Sequence, residues 1–302
     1  MLYLTHHKKE VRIMVKILSF GEILFDVFGD KATLGGAPLN FGAHAAHAGA
    51  QSAMLSAVGD DELGRDALAQ VRSHGIDTRY TAILGDKMTG RCLVTLNEAG
   101  IPKYDLLQGV AYDYIPVPEL GDEHYDVLYF GTLSLRADYN RATLETLLAR
   151  NIADEVFVDM NIRAPFYSDE SILMGLKNAT MLKISDEELP VIAKSILGEG
   201  EHKQDDVIAY IGKTFRNVKL LVLTCGGDGS VCYNFQTGEV TPCQAVKTKV
   251  VSTVGAGDSF CATFLVNYLN GVSIPEALAK ASKISAYVVS QEGAIPEGMP
   301  QV

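Results

Sequence analysis

Residues 250–271 read VVSTVGAGDSFCATFLVNYLNG, and the rest of the chain is organised around them. The β-branched run Val250-Val251-Ser252-Thr253-Val254 predicts a strand-like approach. Gly255-Ala256-Gly257-Asp258 predicts a tight loop, and the apolar remainder a helix that Gly271 stops. That order makes an anion site. The first amides of a helix lack partners within it, and the helix dipole favours negative charge there. Glycines at 255 and 257 let the backbone approach an oxygen-rich group with no Cβ in the way. Asp258 stands out, because a carboxylate beside a phosphate is costly unless chemistry needs it. A base that takes a proton from an attacking hydroxyl needs that position. The plain alternative is an N-cap on a buried helix.

Two common nucleotide loops are excluded. Gly212-Lys213-Thr214 ends like a Walker A loop, but Val207 stands where its first glycine belongs. A dinucleotide fingerprint fails because Phe260 occupies the third glycine position. The phosphate loop is of another kind.

The chain of 302 residues suits one large α/β domain, and 47% hydrophobic residues are ample for its core. A net charge of −11 without a basic stripe argues against nucleic acid. No apolar run reaches the ~20 residues of a membrane span. Cys92, Cys225, Cys232, Cys243 and Cys261 lack C-x-x-C spacing, so free thiols in a reducing cytoplasm are expected. Residues 1–13 have no signal-peptide core and read as a loose tail, with the fold expected over 14–302.

Outward from the central loop, the chain alternates strand and helix. Strands are expected at Lys16 to Phe20, Ser52 to Val58, Asp126 to Phe130, Glu155 to Asp159, Thr180 to Ile184, Leu220 to Thr224 and Ser230 to Asn234. Helices are expected at about Asn40 to Ala48, Glu62 to Ser73, Tyr139 to Asn151 and Asp205 to Arg216. Two more should follow capping boxes, at Ser185-Asp186-Glu187-Glu188 and at Ser273-Ile274-Pro275-Glu276. This βα alternation implies a mostly parallel sheet covered by helices. Thr89 to Leu96 and Pro102 to Leu107, joined by a turn at Asn97-Glu98-Ala99-Gly100, lack an intervening helix and predict a small separate antiparallel sheet. Asp26 lies just past a strand end, where open α/β sheets bind ligands, although a turn residue would look the same. Gly35-Gly36 permits close contact with a ligand, and Asn40 offers both a donor and an acceptor. His44 and His47 lie one turn apart without a third ligand, so packing or surface roles are expected rather than metal binding.

Four motifs occur in a family's order: Gly35-Gly36-Ala37-Pro38-Leu39-Asn40, Val58-Gly59-Asp60-Asp61 with Gly64, Thr224-Cys225-Gly226-Gly227-Asp228-Gly229, and Thr253 with Gly255 to Asp258. The chain resembles the ribokinase-like (PfkB) carbohydrate kinases over nearly all of its length after Met14. The resemblance implies a three-layer α/β fold: a mostly parallel central sheet covered by helices, with a small β-sheet lid from about 27–34 and 80–110. It implies ATP as phosphoryl donor and Mg²⁺ as metal. Asp258 would be the base, and the amides of Gly255, Ala256 and Gly257 the anion hole. A helix N-terminus should keep Asp258 ionised at neutral pH. Asp26, Gly35, Gly36, Asn40 and Arg163 would hold the sugar, and Arg163, with Lys183, would also be a candidate for touching the ATP phosphates. Lys183, Ser185, Thr224, Gly226 and Gly229 would face ATP, and Glu188 would organise Mg²⁺ through water. An exposed Arg163 with no such role is the alternative for that residue. Two positions depart from the family pattern: Ser252 stands for an Asp and Ser185 for an Asn.

Among such kinases, bacterial fructokinases are most similar, through Gly21 to Asp26, Thr89 to Leu96, Asp159-Met160-Asn161-Ile162-Arg163 and Val110 to Ile115. The resemblance thus implies D-fructose as acceptor. The 2-keto-3-deoxygluconate kinases share much of this set, and a keto acid would need a cation from Arg163, Arg136 or Arg91. A sugar-sensing protein without turnover would keep the same fold. In relatives lids of this kind often pair, so the resemblance allows a homodimer through the lid, while the sequence does not fix the oligomer.

Overall fold

The protein is described from a computed structural model, which covers residues 14–96 and 102–301. The expected tail at 1–13 and the turn at Asn97 to Gly100 lie outside the described residues. β1 (Lys16–Phe20) opens the fold, and β2 (Leu24–Phe28) and β3 (Lys31–Gly35) form a hairpin before α1 (Ala37–His47). There follow β4 (Gln51–Gly59), α2 (Glu62–Ser73), β5 (Ile76–Asp77), β6 (Thr81–Leu84), β7 (Gly90–Leu96) and β8 (Pro102–Leu106). Alternation then resumes with β9 (Tyr125–Phe130), α3 (Asp138–Ala149), β10 (Ala153–Asp159), α4 (Asp169–Asn178), β11 (Met181–Ser185) and α5 (Leu189–Leu197). The chain ends with α6 (Gln204–Thr214), β12 (Leu220–Thr224), β13 (Ser230–Asn234), β14 (Val240–Cys243), α7 (Ala256–Leu269) and α8 (Ile274–Val289).

Ten strands make the main sheet, in the order β14-β13-β12-β11-β10-β9-β1-β4-β5, with β6 also on β4. Only β13 is reversed, antiparallel to its neighbours β12 and β14. The strands are buried on both faces, which explains their continuous apolar runs. In β1, Leu18 and Phe20 face one core with Leu144 and Leu147 of α3 and Ile192 of α5. Ile17 points the other way, to Phe41 of α1, Phe260 and Phe264 of α7, and Leu278 of α8. This is the expected helix-covered, mostly parallel sheet. Its parallel strands share one C-terminal edge, and β1, β10, β11 and β12 lead from it into the loops described below.

A separate four-stranded sheet has the order β3-β2-β7-β8. It differs from the expected antiparallel sheet in one pairing, since β2 and β7 run parallel. Thr81–Leu84 does not join it but pairs with β4.

Three local expectations are corrected. Val250 to Val254 is not a strand: Val250 and Val251 are 63% and 50% exposed, and the amides of Val251 and Ser252 reach only the carbonyl of Val289. β-branched residues favour strands when a pleated neighbour covers them, and none does so here. Ser273 precedes α8 without a side-chain cap bond. Ser185 and Glu188 do exchange capping-box hydrogen bonds, but these close a turn, and α5 begins one residue later at Leu189. α4 was not legible because its box uses Ser168 and Ser171, without an acidic or amide partner at the third helical position.

Candidate active site

Gly255 has φ 78° and caps α7, so Asp258 is the third helical residue and not the cap. The plain N-cap reading of Asp258 is thereby overturned. A Cβ on Gly255 would meet Ala294 at 2.6–2.8 Å, so the C-terminal segment seats directly against this loop. Asp258 is 8% exposed, and its Oδ2 accepts from Asn40 Nδ2 at 2.8 Å. Burial, then the charge of Asp159, pushes its carboxyl up to about 7, against the pull of Asn40, Lys183 and Arg163. The expectation of a fully ionised group is corrected: desolvation outweighs the helix dipole.

On one side of Asp258 lie the residues expected to hold a sugar. Asn40 is buried in the first turn of α1 and its Oδ1 has no partner among the described residues. Asp26, on β2, is half-buried, and a Cβ on Gly35 would stand 3.5 Å from its Oδ2. Burial raises its carboxyl, while the Cys92 thiol and Arg163 oppose the rise. Gly36 has φ 120°, and a Cβ there would collide with the carbonyl oxygen of Glu22. Arg163 is exposed in the loop after β10 and has no ion-pair partner among the described residues. Its charge nonetheless favours the ionised forms of Glu22, Asp26 and Asp258, so it faces this group. The other two arginines are engaged. Arg136 Nε bonds Asp113 Oδ1 at 2.8 Å between the Tyr112 and Phe166 rings, and Arg91 lies 3.6 Å from Asp61.

On the other side, Lys183 of β11 pairs in register with Asp159 of β10, and Nζ lies 3.0 Å from Oδ1. Burial is the largest influence and opposes the charge, yet Asp159 and Glu188 together hold the ammonium well above the usual range. A Cβ on Gly257 would stand 3.6 Å from this Nζ, so the cation lies directly under the glycine loop. The Cys261 thiol completes the buried cluster, 3.6 Å from Asp159 Oδ2. Glu188 accepts from Ile162 N through Oε1 and from Ser185 N through Oε2, both at 2.7 Å. Ser185 at the end of β11 lies beside Thr224 at the end of β12. Gly226 and Gly229 follow with φ 49° and 104°, and a Cβ on Gly229 would collide with the Cys243 carbonyl.

The structure therefore brings Asn40 against Asp258, Gly35 against Asp26 and Lys183 against Gly257, with the charge of Arg163 felt at Asp26 and Asp258, and sets Glu188 on Ser185, whose strand-end neighbour is Thr224. Glu22 was missed; its only sequence signal is a carboxylate directly after Gly21 at the end of β1. His44 Nε2 donates to Ala294 O at 2.8 Å, in keeping with a packing role. No group of three His, Cys, Asp or Glu among the described residues could hold a metal alone, and no helix there is long and apolar enough to cross a membrane.

Comparison with known proteins bears on the fold and the family. The profile of the pfkB family carbohydrate kinases matches residues 10–301. A probable fructokinase-5 of Arabidopsis thaliana is 29% identical over 312 aligned residues, covering 93% of each chain. The fructokinase of Xylella fastidiosa with bound ATP superposes with a TM-score of 0.80 at 20% identity, over 95% of each chain. A double mutant of the Vibrio cholerae O395 fructokinase, in its fructose, ADP and potassium ion bound form, gives 0.79 at 21%, over 93% of this chain and 94% of that one. At such identities the superpositions speak for the fold, and the profile match speaks for the family. Its motifs and its fold agree: the chain belongs to the pfkB family of carbohydrate kinases.

Proposed function

We propose that the protein transfers the γ-phosphoryl group of ATP to the primary 6-hydroxyl of D-fructose. The observation that carries this reading is the buried Asp258 carboxyl, held by Asn40 one turn into the helix that Gly255 caps. In the reaction the sugar oxygen bonds to the γ-phosphorus, the bond from that phosphorus to the ADP oxygen breaks, and the hydroxyl proton passes to Asp258. The amides of Gly255, Ala256 and Gly257 receive the developing charge on the phosphoryl oxygens. Lys183, directly beneath Gly257, adds a fixed positive charge there. Arg163 reaches the phosphates from the facing loop, and Thr224, Gly226 and Gly229 bound the nucleotide.

Glu188 suits Mg²⁺ only through water. Its two oxygens already accept backbone amides, and among the described residues no group of three His, Cys, Asp or Glu offers a direct cage. Glu188, with the Ser185 hydroxyl beside it, would hold Mg²⁺ through water, and the ion would supply positive charge to the phosphates. The part played by the chain is to hold Glu188 still through those two amides.

Fructose is favoured over a keto acid by the arginines. Arg136 and Arg91 are committed to Asp113 and Asp61, and Arg163 already faces three carboxyls. A carboxylate substrate would enter a pocket whose cation is balanced. The similarity to fructokinases points the same way. The small sheet, which carries Asp26 and Gly35, would cover the sugar as a lid and could pair two copies. An ADP-release assay across a sugar panel tests the reading. D-fructose should give the highest kcat/KM; 2-keto-3-deoxygluconate ranking first would overturn the substrate, and no ADP release with any sugar would favour a sensor.

A further inference from the structure

We propose that Glu22 is a positioning residue of the phosphoryl-transfer site: it fixes the start of α1 and, through Asn40, sets how Asp258 is held. The inference rests on the reading of Asp258 as the base. Glu22 follows β1 and is 3% exposed. Its Oε1 accepts the amide of Ala37, the first residue of α1, at 3.2 Å. Its own carbonyl lies where a side chain on Gly36 would go, so strand end and helix entry are in direct contact. The Gly36 carbonyl accepts the amide of Asn40 at 2.9 Å, and the Asn40 side chain then reaches Asp258 at 2.8 Å. A continuous run of contacts thus joins the end of β1 to the first turn of α7.

Glu22 also faces the site electrically. Its Oε2 is fully buried and has no partner among the described residues. Around it stand Asp258 of α7, Arg163 of the loop after β10, Arg136 of the turn after β9, Tyr129 of β9 and Tyr112. Burial above all, and then Asp258, pushes the Glu22 carboxyl up to about 7, while its own backbone amide, the amide of Ala37 and Arg163 draw it down. Asp258 is itself pushed up to about 7. Two carboxyls that feel each other and ionise over the same range lose their protons in two steps that belong to the pair and not to either residue. A residue that only braced the helix would not touch that titration.

The test is the pH profile of kcat/KM for wild type, E22Q, E22A and D258N, with the sugar that ranks first in the ADP-release panel. Glutamine keeps the acceptor for the Ala37 amide but cannot ionise. E22Q should keep its plateau within about threefold, while its acid limb steepens and moves to lower pH by about half a unit to one unit. E22A loses the acceptor as well, and should lose about tenfold or more in kcat/KM through misplacement of Asn40. An E22Q limb within about 0.2 unit of wild type would overturn the proposal even if the rate fell. D258N separates the two readings: if it keeps more than about a tenth of the rate, the base assignment fails, whereas an inactive D258N with an unmoved E22Q limb fails Glu22 alone.

Discussion

Asn40 Nδ2 donates to Asp258 Oδ2 at 2.8 Å across 218 positions of sequence, tying the first turn of α1 to the first turn of α7. This bond has two consequences that separate experimentally. It favours the ionised form of Asp258, and it engages the amide nitrogen of Asn40 while leaving Oδ1 free for a sugar hydroxyl. Asn40→Ala should therefore raise the KM for sugar by an amount worth about 1–3 kcal/mol and move the acid limb of kcat/KM upward. A KM for ATP that rises equally would assign Asn40 to shaping the fold instead.

As the proposed base, Asp258 would have to be ionised to accept a proton, and burial holds its carboxyl up to about 7. The rate should fall as pH drops below that point, more gradually than tenfold per unit near the midpoint because Glu22 titrates over the same range. Asp258→Asn should abolish most turnover while ATP and sugar still bind; a loss below about tenfold would exclude the role. Stability gives an independent sign. A carboxyl raised in the folded state binds more protons there than in the unfolded chain, so its ionisation costs stability as pH rises from about 4 through 7. The asparagine variant should therefore melt at a higher temperature than wild type at pH 8, and the gain should vanish near pH 4.

Lys183 and Asp159 are almost fully buried, with Nζ and Oδ1 3.0 Å apart. Lys183→Met leaves Asp159 without its counter-charge and should cost about 3–5 kcal/mol of folding stability. Adding Asp159→Leu should recover most of that loss, because a buried ion pair can be replaced by apolar groups more cheaply than it can be broken. Turnover should not return with stability, since the cation under Gly257 is still missing. Recovery of both would reduce Lys183 to a structural group.

His44 links α1 to the C-terminal segment that rests on Gly255. Burial lowers its pKa to about 4, helped by the nearby His47 and His74 and opposed by the Ala294 carbonyl. A histidine whose folded pKa lies below its unfolded value stabilises fully above about 6.5 and loses that contribution as pH falls toward 4. The loss is on the order of 3 kcal/mol. His44→Gln can still donate to Ala294 but cannot titrate. Denaturant titrations should show the two proteins converging or crossing between pH 6.5 and 4, and parallel curves would remove His44 from the acid response.

Much of this was legible from residues alone. β1, β12 and β13 fall where the apolar runs place them, because a strand buried on both faces writes its length directly into the sequence. Asp258 and Asn40 were legible as chemistry, but their bond was not, since nothing local relates positions so far apart. Lys183 and Asp159 become partners only through the register of β10 with β11. Glu22 owes its interest to burial beneath Gly36, a property of the packed fold. Val250 to Val254 misled because β-propensity reports a fit to a sheet surface, and this segment has no sheet beside it.

Glu188 joins two segments through one carboxylate, taking Ile162 N on Oε1 and Ser185 N on Oε2. Ile162 precedes Arg163, so the same side chain expected to organise Mg²⁺ also fixes the loop that carries the arginine. Glu188→Gln cannot satisfy both amides, because its nitrogen is a donor and would face a second donor. The substitution should cost about 1–3 kcal/mol of stability, the usual result of leaving a buried amide unpaired. The Mg²⁺ concentration for half-maximal rate should rise as well, since a neutral side chain attracts metal-bound water less. Glu188→Asp separates the two effects. It keeps the charge but is shorter, so it should lose the bond to Ile162 and with it the hold on Arg163. A raised KM for ATP with a nearly normal Mg²⁺ titration is expected there. If Glu188→Gln left the Mg²⁺ titration unchanged, the metal site would lie elsewhere, and Glu188 would be only the clasp between β11 and the Arg163 loop.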